Sequence, residues 1–274
     1  MIESPLFCPG SDFVTLGNSR QCAAPTLALL RDIRDITDAF LKLEKLENEI
    51  SLGRIEPDNT VDVFADFTQP DQQQQQQQQN QERQALLDTI STIHSRTTRN
   101  PLPDYTASDL VHESIRLAAI IYTTAIFQRI PLSAAASAAS LPDGWSLSLT
   151  LSLKRALGMS DLSSCWGRDM TAVLLWVCLV GSAASKGRTE RNWIVSVAVR
   201  AYVLSTFEHG GAVITGLKRL LGILEGLGRG NFTEEKKDTW WDLDVRNEAF
   251  KMLQFRDMGG TDADTDTGDK MGIA

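Results

Sequence analysis

Three histidines and four cysteines are all the chain offers for metal binding or thiol chemistry, and their spacing assembles neither. His94, His112 and His209 form no H-E-x-x-H pair, and Cys8, Cys22, Cys165 and Cys178 form no Cys-x-x-Cys, so zinc finds no ligand set. His112 and Glu113 are neighbours that fall on different sides of a helix, and they read as surface chemistry. Asp262, Asp264 and Asp266 reproduce the opening oxygen ligands of a calcium loop. Thr267 then stands where the sharp-turn glycine belongs, and Ile273 where the bidentate glutamate belongs, so the calcium reading fails. Gly226, Gly228 and Gly230 close a helix, whereas a dinucleotide-binding glycine run follows a strand and opens one. No Gly-x-Ser-x-Gly elbow or Walker loop occurs, and Asn231-Phe232-Thr233 is a glycosylation sequon without a secretory signal before it. The reading is a protein that is not an enzyme and needs no metal or cofactor.

Composition points the same way. The 274 residues are 42% hydrophobic, enough for one sizeable domain or two small ones sharing a core. Mean hydropathy of -0.15 excludes a polytopic membrane protein, and 7% aromatic residues exclude a wholly disordered one. Lys and Arg total 27 against 35 Asp and Glu, a formal charge of -8. A chain this acidic lacks the electrostatic footprint of a nucleic-acid binder. The longest apolar stretch, residues 172–180, is about half of the ~20 residues a membrane span takes. The cysteines are few and irregularly spaced and imply no disulfide framework, so the expectation is a soluble intracellular protein with reduced thiols.

Helices must do the positioning. Residues 1–21, with Pro5, Pro9, Gly10 and Gly17, read as an irregular N-terminal arm. Leu27, Leu30, Ile33, Ile36, Phe40 and Leu43 recur at threes and fours, the stripe of a helix that Gly53 and Pro57 stop. Residues 68–81 contain an unbroken run of glutamines at 72–79 and read as a flexible low-complexity insertion. A polar helix resumes near Glu82 with Leu86, Leu87, Ile90 and Ile93 as its stripe. Ser108 is placed to cap the next, which carries Ile115, Ala119, Tyr122 and Ile126 towards Pro131. Residues 134–139 form a turn or short helix. Leu147, Leu149, Leu151 and Leu153 alternate as in a strand, but Trp145, Leu149, Leu153 and Leu157 fit a helix, and the helical neighbours decide for helix.

Residues 172–180 and 193–204 are apolar nearly all the way round, the mark of helices inside a bundle. Thr189 is placed to cap the second. A third helix carries Val213, Ile214, Leu217, Leu220, Leu221 and Leu224, and residues 240–255 form one more amphipathic stretch. The acidic residues from 257 onward have nothing to pack. The fold class is all-α: a multi-helix array over residues 22–256, with a flexible Gln-rich insertion and a disordered acidic tail at 257–274.

The segment His112-Glu113-Ser114-Ile115-Arg116-Leu117-Ala118-Ala119-Ile120-Ile121-Tyr122 resembles a recurrent helix of the fungal-specific transcription factor domain. That domain is the helical regulatory region of zinc binuclear cluster regulators. Leu174-Leu175-Trp176-Val177-Cys178-Leu179-Val180-Gly181-Ser182-Ala183-Ala184 is similar to the family's glycine-ended Leu-Trp helix, and Glu190-Arg191-Asn192-Trp193-Ile194 to the Arg-x-Trp helix that follows. Residues 22–40 are similar to its early helix. The family often has paired glycines where this chain has Gly181-Ser182, and its six-cysteine DNA reader has no counterpart here.

The resemblance implies a regulatory domain that acts through a protein partner or small-molecule effector, resides in the nucleus (otherwise the cytoplasm), and can form a homodimer. It implies no direct nucleic-acid binding by this chain and no membrane. Arg116, Tyr122, Leu175, Trp176, Gly181, Arg191 and Trp193 are the signature residues. Aromatics at helical spacing read as core before they read as a pocket, with an effector pocket between helices as the alternative. Arg116 and Arg191 are candidates for buried ion pairs, with Glu113 and Glu190 nearest in sequence. The rival reading is an interaction scaffold unrelated to transcription, with the glutamine tract, Trp240 and Trp241 as contact elements.

Overall fold

A computed structural model describes residues 2–10, 12–53, 70–99, 109–139 and 148–228. Among these residues the chain is helical with no strand: α1 (Val14–Asn18), α2 (Ala24–Gly53), α3 (Pro70–Arg99), α4 (Asp109–Gln128), α5 (Leu132–Ala138), α6 (Leu149–Met159), α7 (Thr171–Ala184) and α8 (Arg191–Gly228). The all-α expectation is met, including the helix around Leu149, Leu153 and Leu157. Ser148 caps that helix, its hydroxyl accepting from the Leu151 amide at 3.3 Å. Ser108, Trp145 and residues 240–255 and 257–274 lie outside the described residues.

The stripe of α2 packs as its spacing requires, with Leu30, Ile33, Ile36, Phe40 and Leu43 buried. Its charged side is tied down by ion pairs: Arg31 with Asp12, Arg96 with Asp32, Arg219 with Asp38 and Arg83 with Glu47. α3 lies along α2 through Ile90 and Ile93. It begins at Pro70, well before Glu82, so the glutamine tract forms its opening turns. Gln74, Gln77 and Gln78 are exposed. Glutamine is a good helix former, and a tract with nothing to bury can still extend a helix anchored downstream.

Two helices form the centre, and they are α4 and α7. α4 touches α2, α3, α5, α6 and α7, while α7 touches α4, α5, α6 and α8. By length and composition Leu110–Gln128 could cross a membrane, with a mean hydropathy of 1.3, but 83% of that segment is buried inside the bundle. α7 is buried from Val173 to Ala184. The first half of α8 departs from expectation: Ile194, Val197, Ala198 and Ala201 are buried, whereas Val199, Val203, Leu204 and Phe207 face outward. It packs on α7 through Ile194 and beside Gly158 of α6 through Trp193, and those four residues are exposed among the described residues. Nor does Thr189 cap it; Glu190 precedes the first turn, and the Thr189 hydroxyl donates to the Glu190 carboxylate at 3.0 Å.

The third expected helix continues α8 beyond a break at His209 (φ -139, ψ 39), and α8 ends at Gly228. The N-terminal arm is irregular in path yet part of the core. Leu6, Phe13 and Leu16 belong to the main apolar cluster. Glu3, itself buried, accepts from the backbone amides of Val14, Thr15 and Leu16 at 3.0–3.1 Å and so satisfies the N-terminus of α1.

Candidate functional site

Among the signature residues Tyr122 and Trp176 touch, while Arg116 is paired on its own helix. Glu113 and Arg116 sit three apart on α4, and the Arg116 Nε and Nη2 donate to the two Glu113 oxygens at 2.6 and 2.9 Å. Their side chains are 5% and 1% exposed, so Glu113 is a core residue and not surface chemistry. A buried bidentate pair roughly offsets its own desolvation, but removing one partner leaves an uncompensated charge at a cost of about 3–5 kcal/mol.

Two turns on, Tyr122 points its hydroxyl at Thr37 of α2, 2.8 Å away. The Thr37 hydroxyl already donates to the Ile33 carbonyl at 2.6 Å, so the Tyr122 hydroxyl is the donor between them. Burial pushes the Tyr122 phenol far above its ordinary range, and the phenol stays protonated. Its ring meets the Trp176 indole edge to face, centroids 5.7 Å apart at 81°. Trp176 is 1% exposed, and its Nε1 has no acceptor among the described residues. Leu175, beside it, is buried too.

Gly181, one turn further, is where three helices approach most closely. A Cβ there would stand 2.8 Å from Leu153 Cδ2 of α6 and 3.3 Å from Ile194 Cγ2 of α8. Glycine serves close approach here and not helix termination, since α7 runs on to Ala184. At the head of α8, Glu190 accepts from the Thr150 hydroxyl at 3.1 Å. Burial works to raise the Glu190 carboxyl, but its own backbone amide, the Thr189 and Thr150 hydroxyls and Arg188 prevail and leave its pKa lowered. Arg191 opens the helix, half-buried. Trp193 is also half-buried, packed on the edge of the core where a Cβ added to Gly158 would stand 3.9 Å from its ring, so only one of the two signature indoles is an inner residue.

None of this is reactive. Burial pushes the Cys22 thiol up to about 11 and the Cys178 thiol higher still, which removes both as nucleophiles. Among the described residues no three His, Cys, Asp or Glu side chains group as metal ligands would. The His112 Nδ1 lies 3.0 Å from the Thr26 hydroxyl, and His94 stacks on Phe127 with centroids 4.6 Å apart.

Among the described residues, two of the openings border the core. A crevice of about 20 Å³, room for one water, lies between the turn at residues 2–7, Trp176 of α7 and Val213 and Leu217 of α8. A larger cavity of about 230 Å³ lies between α2, α3 and the end of α4, walled by Phe40, Leu43, Leu87, Ile126 and Phe127 with Arg129 at its edge. Benzene fills a cavity of about 150 Å³, so this space admits a small organic ring.

Arg129 is the residue that sequence reasoning missed. It closes α4 in the left-handed conformation (φ 51), a place that favours glycine. The Ile130 amide bonds the Ala125 carbonyl at 3.1 Å and the Arg129 amide the Ile126 carbonyl at 3.4 Å, the double cap of such an ending. An arginine is held there by its side chain, which lies over Phe40 and pairs with Glu47 at 2.8 Å and Glu44 at 3.3 Å. The one signal was its position, directly after the α4 stripe and two residues before Pro131.

Comparison with known proteins adds no relative: no family model, no curated protein and no solved structure matches the chain. What fold and site define is therefore a class and no more, an all-α bundle with a tightly packed centre and, among the described residues, a cavity large enough for a small ring.

Proposed function

We propose that this chain is a regulatory domain of the fungal transcription-factor type, acting on transcription through an effector or protein partner, with no DNA-binding module in the described bundle. The observation that carries this reading is the convergence of three separated blocks. Tyr122 on α4 meets Trp176 on α7, and Gly181 on α7 faces Ile194 at the head of α8, so the blocks pack against one another in turn. Those are the blocks on which the family resemblance rests, and packing of this kind is what a shared structural signature requires. The 230 Å³ cavity is where an effector fits best. Glu44 and Glu47 already balance the Arg129 charge, so a compact uncharged ring suits it better than an acid. Binding acts by favouring one packing of the bundle over another. Nuclear residence comes with the resemblance alone.

The test is a reporter assay with the full chain fused to a foreign DNA-binding domain. Altered reporter output that depends on the folded chain is the expected result. No activation or repression in any growth condition, from a chain shown to be folded and expressed, removes the reading. The scaffold reading stays second, favoured by the apolar residues that α8 leaves outside.

A further inference from the structure

Among the described residues Arg129 is the one non-glycine residue with a left-handed backbone. A side chain at φ 51 strains the chain where glycine would not, and glycine would close α4 as well. Strain of this kind persists where surrounding structure holds it, and it gathers at ligand clamps. Arg129 stands at such a place, on the edge of the 230 Å³ cavity between α2, α3 and the end of α4. Its Nη2 lies 2.8 Å from Glu47 and 3.3 Å from Glu44, yet it is buried and hydrogen-bonds neither. A buried charged donor without an acceptor is costly to keep, and an acceptor in the cavity relieves it.

The rest of the lining says what carries that acceptor. Phe40 and Leu43 of α2, Leu87 and Ile90 of α3, and Ile126 and Phe127 of α4 make apolar walls. Gly226 of α8 backs Phe40 so closely that a Cβ there would stand 2.9 Å from the Phe40 Cε1. Phe127 is braced by the stacked ring of His94, whose pKa burial lowers, so the brace is neutral at pH 7. Phe127 and Asp88 are exposed and place the mouth of the cavity at solvent. Glu47 also pairs with Arg83, so two arginines and two glutamates balance beside the cavity. A carboxylate entering there meets Glu44, Glu47 and Asp88, and an ammonium brings Arg129 no acceptor. A neutral carbonyl meets neither objection. Since benzene fills a cavity of about 150 Å³, this one takes a ring with a short substituent, about nine non-hydrogen atoms. We propose that the cavity binds a small neutral aromatic ketone or aldehyde, its ring against Phe40, Leu87, Ile126 and Phe127 and its carbonyl oxygen accepting from Arg129. The proposal rests on reading this cavity as the effector site and names the class of molecule that fills it.

Titration of the full chain with acetophenone, benzoate and ethylbenzene, followed by amide NMR shifts, tests this. The three probes are close in size and differ at the polar end. Acetophenone binds about tenfold or more tighter than ethylbenzene, the gain of a hydrogen bond to a charged donor, and benzoate binds weakest. The shifts fall on residues around Leu43, Ser91 and Ile126. Arg129→Gly suits the left-handed backbone; it takes ethylbenzene as the wild type does and loses the preference for acetophenone. Ser91→Phe, on the half-buried wall of α3, fills the space and loses both ligands. Circular dichroism melts show that each variant is folded, and the wild-type series decides without them. No acetophenone binding up to about 5 mM overturns the proposal, since a ligand of this size reaches that affinity in any fitting cavity. So does acetophenone that binds no tighter than ethylbenzene or benzoate, or a folded Arg129→Gly that keeps the preference. The reporter assay reads the other half: a chain that drives the reporter but binds no ring keeps its regulatory role and loses this site. A chain that binds acetophenone through Arg129 but leaves the reporter silent keeps the site and loses the role.

Discussion

α7 and the first half of α8 are built from nearly the same residues. Both are runs of Val, Leu, Ile and Ala with one indole, and both read as helices apolar on every side. α7 is enclosed by α4, α5, α6 and α8, so every side finds a partner and Trp176 ends up 1% exposed. The first half of α8 meets α7 at Gly181 and α6 at Gly158, while Val199, Val203, Leu204 and Phe207 are exposed and Trp193 stays half-buried. Composition states how much a helix could bury; the number of neighbours decides how much it does. The second quantity is where the two helices part, one becoming scaffold and the other becoming surface.

Truncating the two indoles breaks or sustains that contrast. Trp176→Ala removes a fully enclosed ring and its edge contact with Tyr122, and costs about 3–5 kcal/mol. Trp193→Ala removes a ring that is only partly buried and costs less. Urea denaturation of both variants gives the two values. Equal losses mean that α8 is as enclosed as α7, and the contrast drawn here is wrong.

A pair of glycines sharpens it at smaller scale. At Gly181 on α7 an added methyl meets Leu153 and Ile194 inside normal contact distance, so Gly181→Ala destabilises by about 1–3 kcal/mol. At Gly211 on α8 a Cβ finds nothing within 4 Å. There Gly211→Ala loses unfolded-state entropy without strain and stabilises by about 0.4–1 kcal/mol. One substitution, opposite signs on the two helices, is the expected outcome of thermal melts run side by side.

Much of this was open to reading from the residues. Period and caps give the helices, because a stripe at threes and fours has one way to be buried, and Trp176 and Gly181 announce a tight centre. What the sequence hides is neighbourhood. The Arg116–Glu113 pair is a candidate already in the sequence, but the packing of five helices around α4 is what makes it a core feature. Ile2, Leu6 and Phe13 follow no period, and their burial depends on Glu3 reaching eleven to thirteen residues along the chain to the head of α1. The outward stripe of α8 is hidden for the same reason, since nothing in residues 193–204 tells a covered side from a bare one. Arg129 needed the backbone itself, because a left-handed φ is not visible in a side-chain pattern.

The smallest expected effect is also the sharpest control. Leu179 on α7 is 5% exposed and Leu204 on α8 is 66% exposed, so the same truncation can be made on each helix. Leu179→Ala leaves a hole in a packed centre and costs about 2–5 kcal/mol. Leu204→Ala leaves no hole, gains slightly in helix propensity, and stays within about 0.5 kcal/mol of wild type. A Leu204→Ala deficit as large as that of Leu179→Ala means the α8 stripe is already covered within one chain.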